Sequence, residues 1–254
     1  WPMQYHFVGK DIIRFHCVIW PAMLMAAGMD VPYRVFGHGF LLTKGEKMSK
    51  SKGNALKPAD LVSIFGVDAY RYYFMSDVQF GADGAISMER MVQVYNNELA
   101  NTWGNLVSRV MNMTKKYFDG QVPTPYEGAC ENPLRPLAEA LYGKYDAAMV
   151  DVDFTAAAAA VQELAARANR YIEETEPFKL AKDPDKQQEL ASVMYNLLEA
   201  IRVIALYMAP FAPNTSAEVF RRLGLRDIQD VHDIKAASAW GQLPAGNAIE
   251  VGDP

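Results

Sequence analysis

Gly45-Glu46-Lys47-Met48-Ser49-Lys50-Ser51-Lys52-Gly53-Asn54 places three lysines and two serines between a pair of glycines. Glycine admits backbone angles that other residues resist, so both ends of the run can hinge. Lysine carries a compact charge on a flexible stem and suits a moving phosphate. Serine hydroxyls and free backbone N–H groups can complete a concave anion site. The spacing is not the G-x-x-x-x-G-K-[ST] of a P-loop. By residue type alone the run fits two readings, a solvated basic loop and a phosphate-binding lid.

Working outward, Tyr5-His6-Phe7-Val8 reads as a short buried strand that Gly9-Lys10 ends. Asp11 is placed to cap the helix that follows, in which Ile12, Phe15, Ile19 and Met23 recur at helical spacing. Pro21 removes a backbone donor and is expected to kink or end that helix. Arg34 to Leu42 reads as a second strand interrupted by Gly37 and Gly39, with Gly37 taken as a bulge residue. Strand, helix, strand and a glycine-flanked loop make the βαβ pattern of a parallel sheet, which looks like the closing part of a Rossmann-type domain. Further on, Pro58 opens a helix that Gly66 stops, and Asp68 is expected to cap a helix over residues 69–75. Residues 77–87 read as irregular, with Gly81 and Gly84 as breakers.

From Met88 the pattern is helical. Met88, Val92, Tyr95, Leu99, Trp103, Leu106, Val110, Met113 and Tyr117 form one apolar stripe. A proline- and glycine-rich linker, residues 120–133, precedes a helix over 134–150. A third helix is capped by Asp151 or Asp153, and a fourth opens at Asp183 or Asp185. Pro210 and Pro213 are expected to end the fourth, before a last helix over 215–223. Amphipathic helices with short connections predict a bundle. The expected fold is thus mainly α, a Rossmann-type α/β remnant followed by a helical bundle. Residues 1–54 are assigned to the remnant, 55–87 to a connecting segment, 88–240 to the bundle and 241–254 to a tail.

The chain has 254 residues, half of them hydrophobic, and a formal net charge of −5. That length supports one large or two ordinary domains. The acidic balance lacks the usual footprint of bulk nucleic-acid binding, although a protein that reads a few unpaired bases needs less charge. No apolar run is expected to reach bilayer-spanning length. Cys17 and Cys130 are the only cysteines, which suggests reduced thiols in a cytoplasmic protein and excludes a four-cysteine zinc site in this segment.

Three groups of residues stand where chemistry can occur. Ligands of open parallel sheets bind beyond the carboxyl ends of the strands, where Asp11 and His16 lie. Asp11 equally reads as a plain helix cap, and His16 as a satisfied half-buried histidine. Asn105 and Arg109 are four residues apart and share a helix face, which is equally an ordinary solvated face. Phe178 follows Pro177, where a ring can be presented outward or sunk into the bundle.

Lys47 to Ser51 resembles the KMSKS signature of class I aminoacyl-tRNA synthetases. From Trp1 to about Val251 the chain resembles one family among them, the methionyl-tRNA synthetases. That family's N-terminal half, with its His-x-Gly-His motif, has no counterpart here. The resemblance implies that the complete enzyme uses ATP and Mg²⁺ to activate methionine and then charges tRNA(Met), with neither DNA nor a membrane as partner. It implies that Lys47 and Lys50 are catalytic, stabilising the charge on leaving pyrophosphate. His38, Gly39, Met48, Ser49 and Ser51 complete the ATP site, with the Gly39 backbone approaching adenine or ribose. Asp11 is expected to hold polar groups of the substrate. Phe15, His16 and Trp20 wall the thioether, consistent with sulfur packing against aromatic rings. Asn105, Arg109 and Phe178 are implied to meet the anticodon.

Four positions depart from the family pattern: Ile19 and Phe178 where aromatic and tryptophan residues are usual, and Glu98 and Ala85 where aspartate and an acidic residue are common. Other class I synthetases (leucyl, valyl, cysteinyl) and a non-catalytic tRNA-binding module are the alternatives. The segment by itself is expected to be inactive.

Overall fold

The computed structural model describes residues 3–43, 46–48 and 56–251, with Glu46 and Lys47 as backbone only. Ser49, Lys50 and Ser51, and with them most of the lysine-serine run, lie outside the described residues.

Strand β1 (Tyr5–Gly9) pairs in parallel with β2 (Arg34–His38), in the register Tyr5↔Arg34 through Gly9↔His38. The crossover is helical, a π-turn over Phe15–Ile19 continuing into α1 (Trp20–Ala26). Pro21 therefore does not end this helix, which runs on to Ala26. It occupies the first turn of α1, and the preceding ladder widens, the Trp20 N–H reaching back to Phe15 O. Asp11 does not cap it either, since it lies inside a 3₁₀ turn, Lys10–Ile12, whose N-cap is Gly9.

The expected second strand divides. After His38 the chain leaves the first sheet and forms β3 (Leu41–Thr43), which pairs with β4 (Glu46–Lys47) and, in parallel, with β5 (Gly84–Ala85). Asp83 holds this crossing by accepting from Phe40 N at 2.7 Å and from Lys10 Nζ at 2.6 Å. Gly37 is no bulge. It sits in regular register opposite Val8, and a Cβ there would collide with the Ile13 side chain.

Helices α2 (Pro58–Phe65) and α3 (Val67–Ser76) meet at Gly66, whose φ of 81° lets the chain turn sharply between them. Asp68 does not cap its own helix. Its carboxylate accepts from Thr215 N (2.6 Å), Thr215 Oγ1 (2.7 Å) and Asn214 Nδ2 (3.0 Å), capping α10 (Pro213–Arg222) across the molecule. Pro213 thus opens a helix instead of ending one.

The helix from Met88 runs unbroken to Phe118 as α4 (Met88–Val94), a π-helical stretch over Tyr95–Gly104 and α5 (Asn105–Phe118). The expected stripe holds at Trp103, Leu106 and Val110. Further back it slips by one residue: Met91 and Val94 are buried, while Val92 and Tyr95 are exposed. A wider π turn shifts the phase of the helix, so a 3.6-residue period carried back through it meets the wrong side chains.

The bundle continues with α6 (Leu134–Val150), α7 (Phe154–Thr175), a short α8 (Pro177–Leu180) and α9 (Gln187–Met208). Asp153 caps α7, accepting from Ala156 N at 3.0 Å, and Asp183 caps the 3₁₀ turn ahead of α9. Helix α9 is central, with every residue from Leu190 to Met208 buried. With its leading turn it is, among the described residues, the one helix long and apolar enough to cross a membrane, at mean hydropathy 1.4, which corrects the expectation that no run reaches that length. Its most apolar stretch is wholly buried by the bundle, and its Glu199 and Arg202 pair with each other.

Residues 241–251 are not a loose tail. Gln121 bridges Ala248, Val122 N donates to Asn247 O, Ile249 N donates to Gly120 O, and Leu243 is buried. One apolar core runs from Leu61 and Tyr72 through the bundle. The β1–α1 unit stands outside it, with Phe7, Phe15, Val18, Met23, Met25 and Tyr33 exposed.

Candidate functional site

The parallel pair ends at Gly9 and His38, and the functional candidates gather beyond that edge. The Asp11 carboxylate folds back over Gly9, 2.5 Å from where a Cβ would stand, beside the His38 ring. His38 Nδ1 donates to Gly39 O at 3.0 Å, which in the neutral ring makes Nε2 an acceptor, without a hydrogen-bond partner among the described residues. A cavity of about 380 Å³ lies beside it. His38, Gly39 and Met48 line it, together with Phe40, Gln79, Phe80 and Phe154. Three residues assigned to one ligand from sequence, Met48 lying ten positions beyond His38, thus share a cavity. Gly39 has a structural reason to be glycine, since a Cβ would collide with the Ala82 carbonyl.

The second cluster lies on the same crossover. His16 Nδ1 donates to Ile12 O at 3.0 Å. Its ring is 6.2 Å from Trp20, edge to face, and Trp20 stacks on His6 at 4.8 Å. His16 and Trp20 are therefore brought together. Phe15 is 56% exposed and makes no ring contact with them. His6 was missed by sequence reasoning because it sits within a strand pattern, where alternation says nothing of which neighbour helix it will face.

The third cluster is divided. Asn105 lines a separate cleft of about 950 Å³ between the π stretch, α3 and α10. Arg109, one turn on, faces α7 and donates to Glu173 Oε1 at 2.7 Å. Glu173 stands in the last turn of α7, five residues before Phe178. There Glu176, in a left-handed conformation, turns the chain into α8. Pro177 and Leu180 are buried and Phe178 is 42% exposed, so the ring is presented outward and is not a core residue.

Known proteins match over the whole length of the chain. A family model described as tRNA synthetases class I (M) matches residues 2–111, and one described as the anticodon binding domain of methionyl tRNA ligase matches residues 124–254. The chain belongs to the methionyl-tRNA synthetase family. The methionine–tRNA ligase of Caldanaerobacter subterraneus is 44% identical over all of this chain, which covers 39% of that protein. That of Bacillus subtilis is 42% identical, with 38% of its length covered. The chain thus spans about two fifths of these curated relatives. Mycobacterium tuberculosis methionyl-tRNA synthetase bound by methionyl-adenylate superposes with a TM-score of 0.92 at 35% identity, over all of this chain and 50% of that one.

Two departures from the methionyl-tRNA synthetase pattern have a structural setting. Glu98 lies in the π stretch and accepts from Tyr72 Oη at 2.5 Å, while Gln162 Nε2 donates to the same hydroxyl at 2.8 Å. Burial, then the Glu98 carboxylate, pushes the Tyr72 phenol well above its usual range, so Tyr72 stays a donor. Ala85 is exposed in β5 opposite Leu42.

Proposed function

We propose that this chain is a portion of a methionine–tRNA ligase, which joins methionine to ATP and then to tRNA(Met) in the cytoplasm. The methionine carboxylate attacks the α-phosphorus of Mg·ATP, the bond to the bridging oxygen breaks, and pyrophosphate leaves carrying the negative charge. Lys47 and Lys50 stand in the run that would close over those phosphates, and preformed positive charge there lowers the barrier. His38 Nε2 accepts from a nucleotide hydroxyl, and the flat faces of Phe40 and Phe80 suit a base. Asp11 takes the ammonium or ribose, while His16 and Trp20, with Phe15, border the thioether. Asn105, Arg109 and Phe178 meet the anticodon, the amide and guanidinium at a base edge and the ring against its face.

The observation that carries this reading is the cavity shared by His38, Gly39 and Met48 beyond the carboxyl ends of β1 and β2, where open parallel sheets hold ligands. The test is ATP–pyrophosphate exchange by the longer protein that contains this chain. Exchange that depends on methionine supports the proposal. Exchange driven instead by leucine, valine or cysteine assigns the chain to another class I activity, and tRNA binding without exchange leaves a non-catalytic module. The 254-residue chain alone is expected to show no exchange, because groups that act as a unit fail together.

A further inference from the structure

We propose that Phe154, the first residue of α7, is a positioning residue for the nucleotide cavity, acting by buttressing Phe80. The proposal rests on reading that cavity as the nucleotide site. The cavity is otherwise built from β2, β3 and residues 74–82, with Met48. Phe154 is the lining residue that the bundle contributes.

Its ring meets Phe80 edge to face at 6.0 Å. Phe80 in turn contacts His38 at 6.4 Å and Phe36 at 6.1 Å. Phe80 belongs to the irregular segment before Gly81, so no helix or strand ladder sets its direction. Its place depends on the rings around it, and Phe154 is the one among them that arrives on a long helix.

The turn that delivers Phe154 is tightly held. Val152 takes a φ of 61°, a conformation costly for a β-branched residue, and it is buried. Val152 N donates to Met149 O at 3.1 Å and Asp153 N to Ala148 O at 2.8 Å. Arg34 of β2 donates from Nη1 to Val150 O at 3.0 Å, tying the turn to the strand that ends at His38. The strained turn, the α7 cap and the Arg34 bond together fix the backbone from which the ring projects. A core residue placed only to fill space would not be expected at a cavity wall on a strained turn tied to the strand that carries His38.

The test measures exchange in the longer protein for Phe154→Leu, Phe154→Tyr and His38→Ala. Phe154→Leu should raise KM for ATP roughly 2- to 12-fold, the range of a lost edge-to-face contact. KM for methionine and affinity for tRNA should not change. Phe154→Tyr keeps the ring and should restore wild-type KM for ATP. If His38→Ala raises KM for ATP while Phe154→Leu leaves it alone, the nucleotide reading stands and this inference falls. If neither variant moves it, the nucleotide reading itself is wrong and the inference falls with it. A Phe154→Leu defect shared equally by ATP, methionine and melting temperature, and not rescued by tyrosine, would make the residue purely structural and also overturn the proposal.

Discussion

Glu199→Gln is a severe test of how the C-terminal segment is held. Glu199 is fully buried in the middle of α9. Its carboxylate accepts from Arg202 Nε at 2.9 Å and Nη2 at 2.6 Å, and from the backbone N–H groups of Gly241 (2.8 Å), Gln242 (3.1 Å) and Leu243 (3.0 Å). Arg202 also donates to the Ala237 and Ala239 carbonyls at 2.6 and 2.9 Å. The amide keeps the shape and removes the charge, stranding a buried guanidinium. Breaking one side of a buried pair costs about 3–5 kcal/mol. For a chain of this size that lowers the melting temperature by roughly 6–20 °C. The second variant, Glu199→Met with Arg202→Leu, separates two explanations. If the pair mattered only as a pair, an apolar replacement would recover the loss. Here three N–H groups and two carbonyls would be left without their partners, at about 1–3 kcal/mol each, so no recovery is expected. Thermal melting with hydrogen exchange at residues 241–243 reads both outcomes. A Glu199→Gln protein that melts within 2 °C of wild type (less than about 1 kcal/mol), or a double variant as stable as wild type, would refute the reasoning.

Phe178→Ala should weaken binding of tRNA(Met) by roughly 5- to 150-fold, the value of one base–aromatic stack, with little change in melting because the ring is part exposed. Phe178→Trp should bind as well or better, and unchanged affinity for the alanine variant would remove Phe178 from the anticodon site. In the longer enzyme, Lys50→Ala should slow adenylate formation about 100- to 1,000-fold, leaving methionine affinity intact. Stopped-flow single turnovers check this, and a selective loss of methionine binding would contradict it. Burial raises the Tyr72, Tyr145 and Tyr171 phenols and pushes Tyr195 up to about 12. The unfolded chain therefore loses these protons first, from about pH 10. The stability they lend is complete below that pH and is lost as pH rises toward the folded values, by roughly 1.4 kcal/mol per tyrosine per pH unit. Denaturant unfolding at stepped alkaline pH, with phenolate absorbance, would show these groups ionising only on unfolding, and early ionisation in the native protein would refute it.

Features carried by contiguous residues were legible in the sequence. The period of apolar residues marks helices because side chains three and four apart share a face, and it located α6, α7 and α9. The lysine-serine run and the Asn105/Arg109 spacing could be singled out as candidates because each motif lies within a few residues. Contacts between distant segments were not legible. Asp68 has a cap's chemistry wherever it stands, but only the folded chain brings the N-terminus of α10 to it. The π stretch at Tyr95–Gly104 shifted a stripe that counting alone carried straight through. Glycines 37 and 39 look alike in sequence, yet Ile13 and Ala82 give each its own reason. The cavity draws His38, Phe80 and Phe154 from three separated stretches, and the Glu199–Arg202 pair converts an apparent tail into docked structure. Local periodicity reports which face of an element is apolar. It carries no information about which other element will cover that face, and the site is assembled by that second choice.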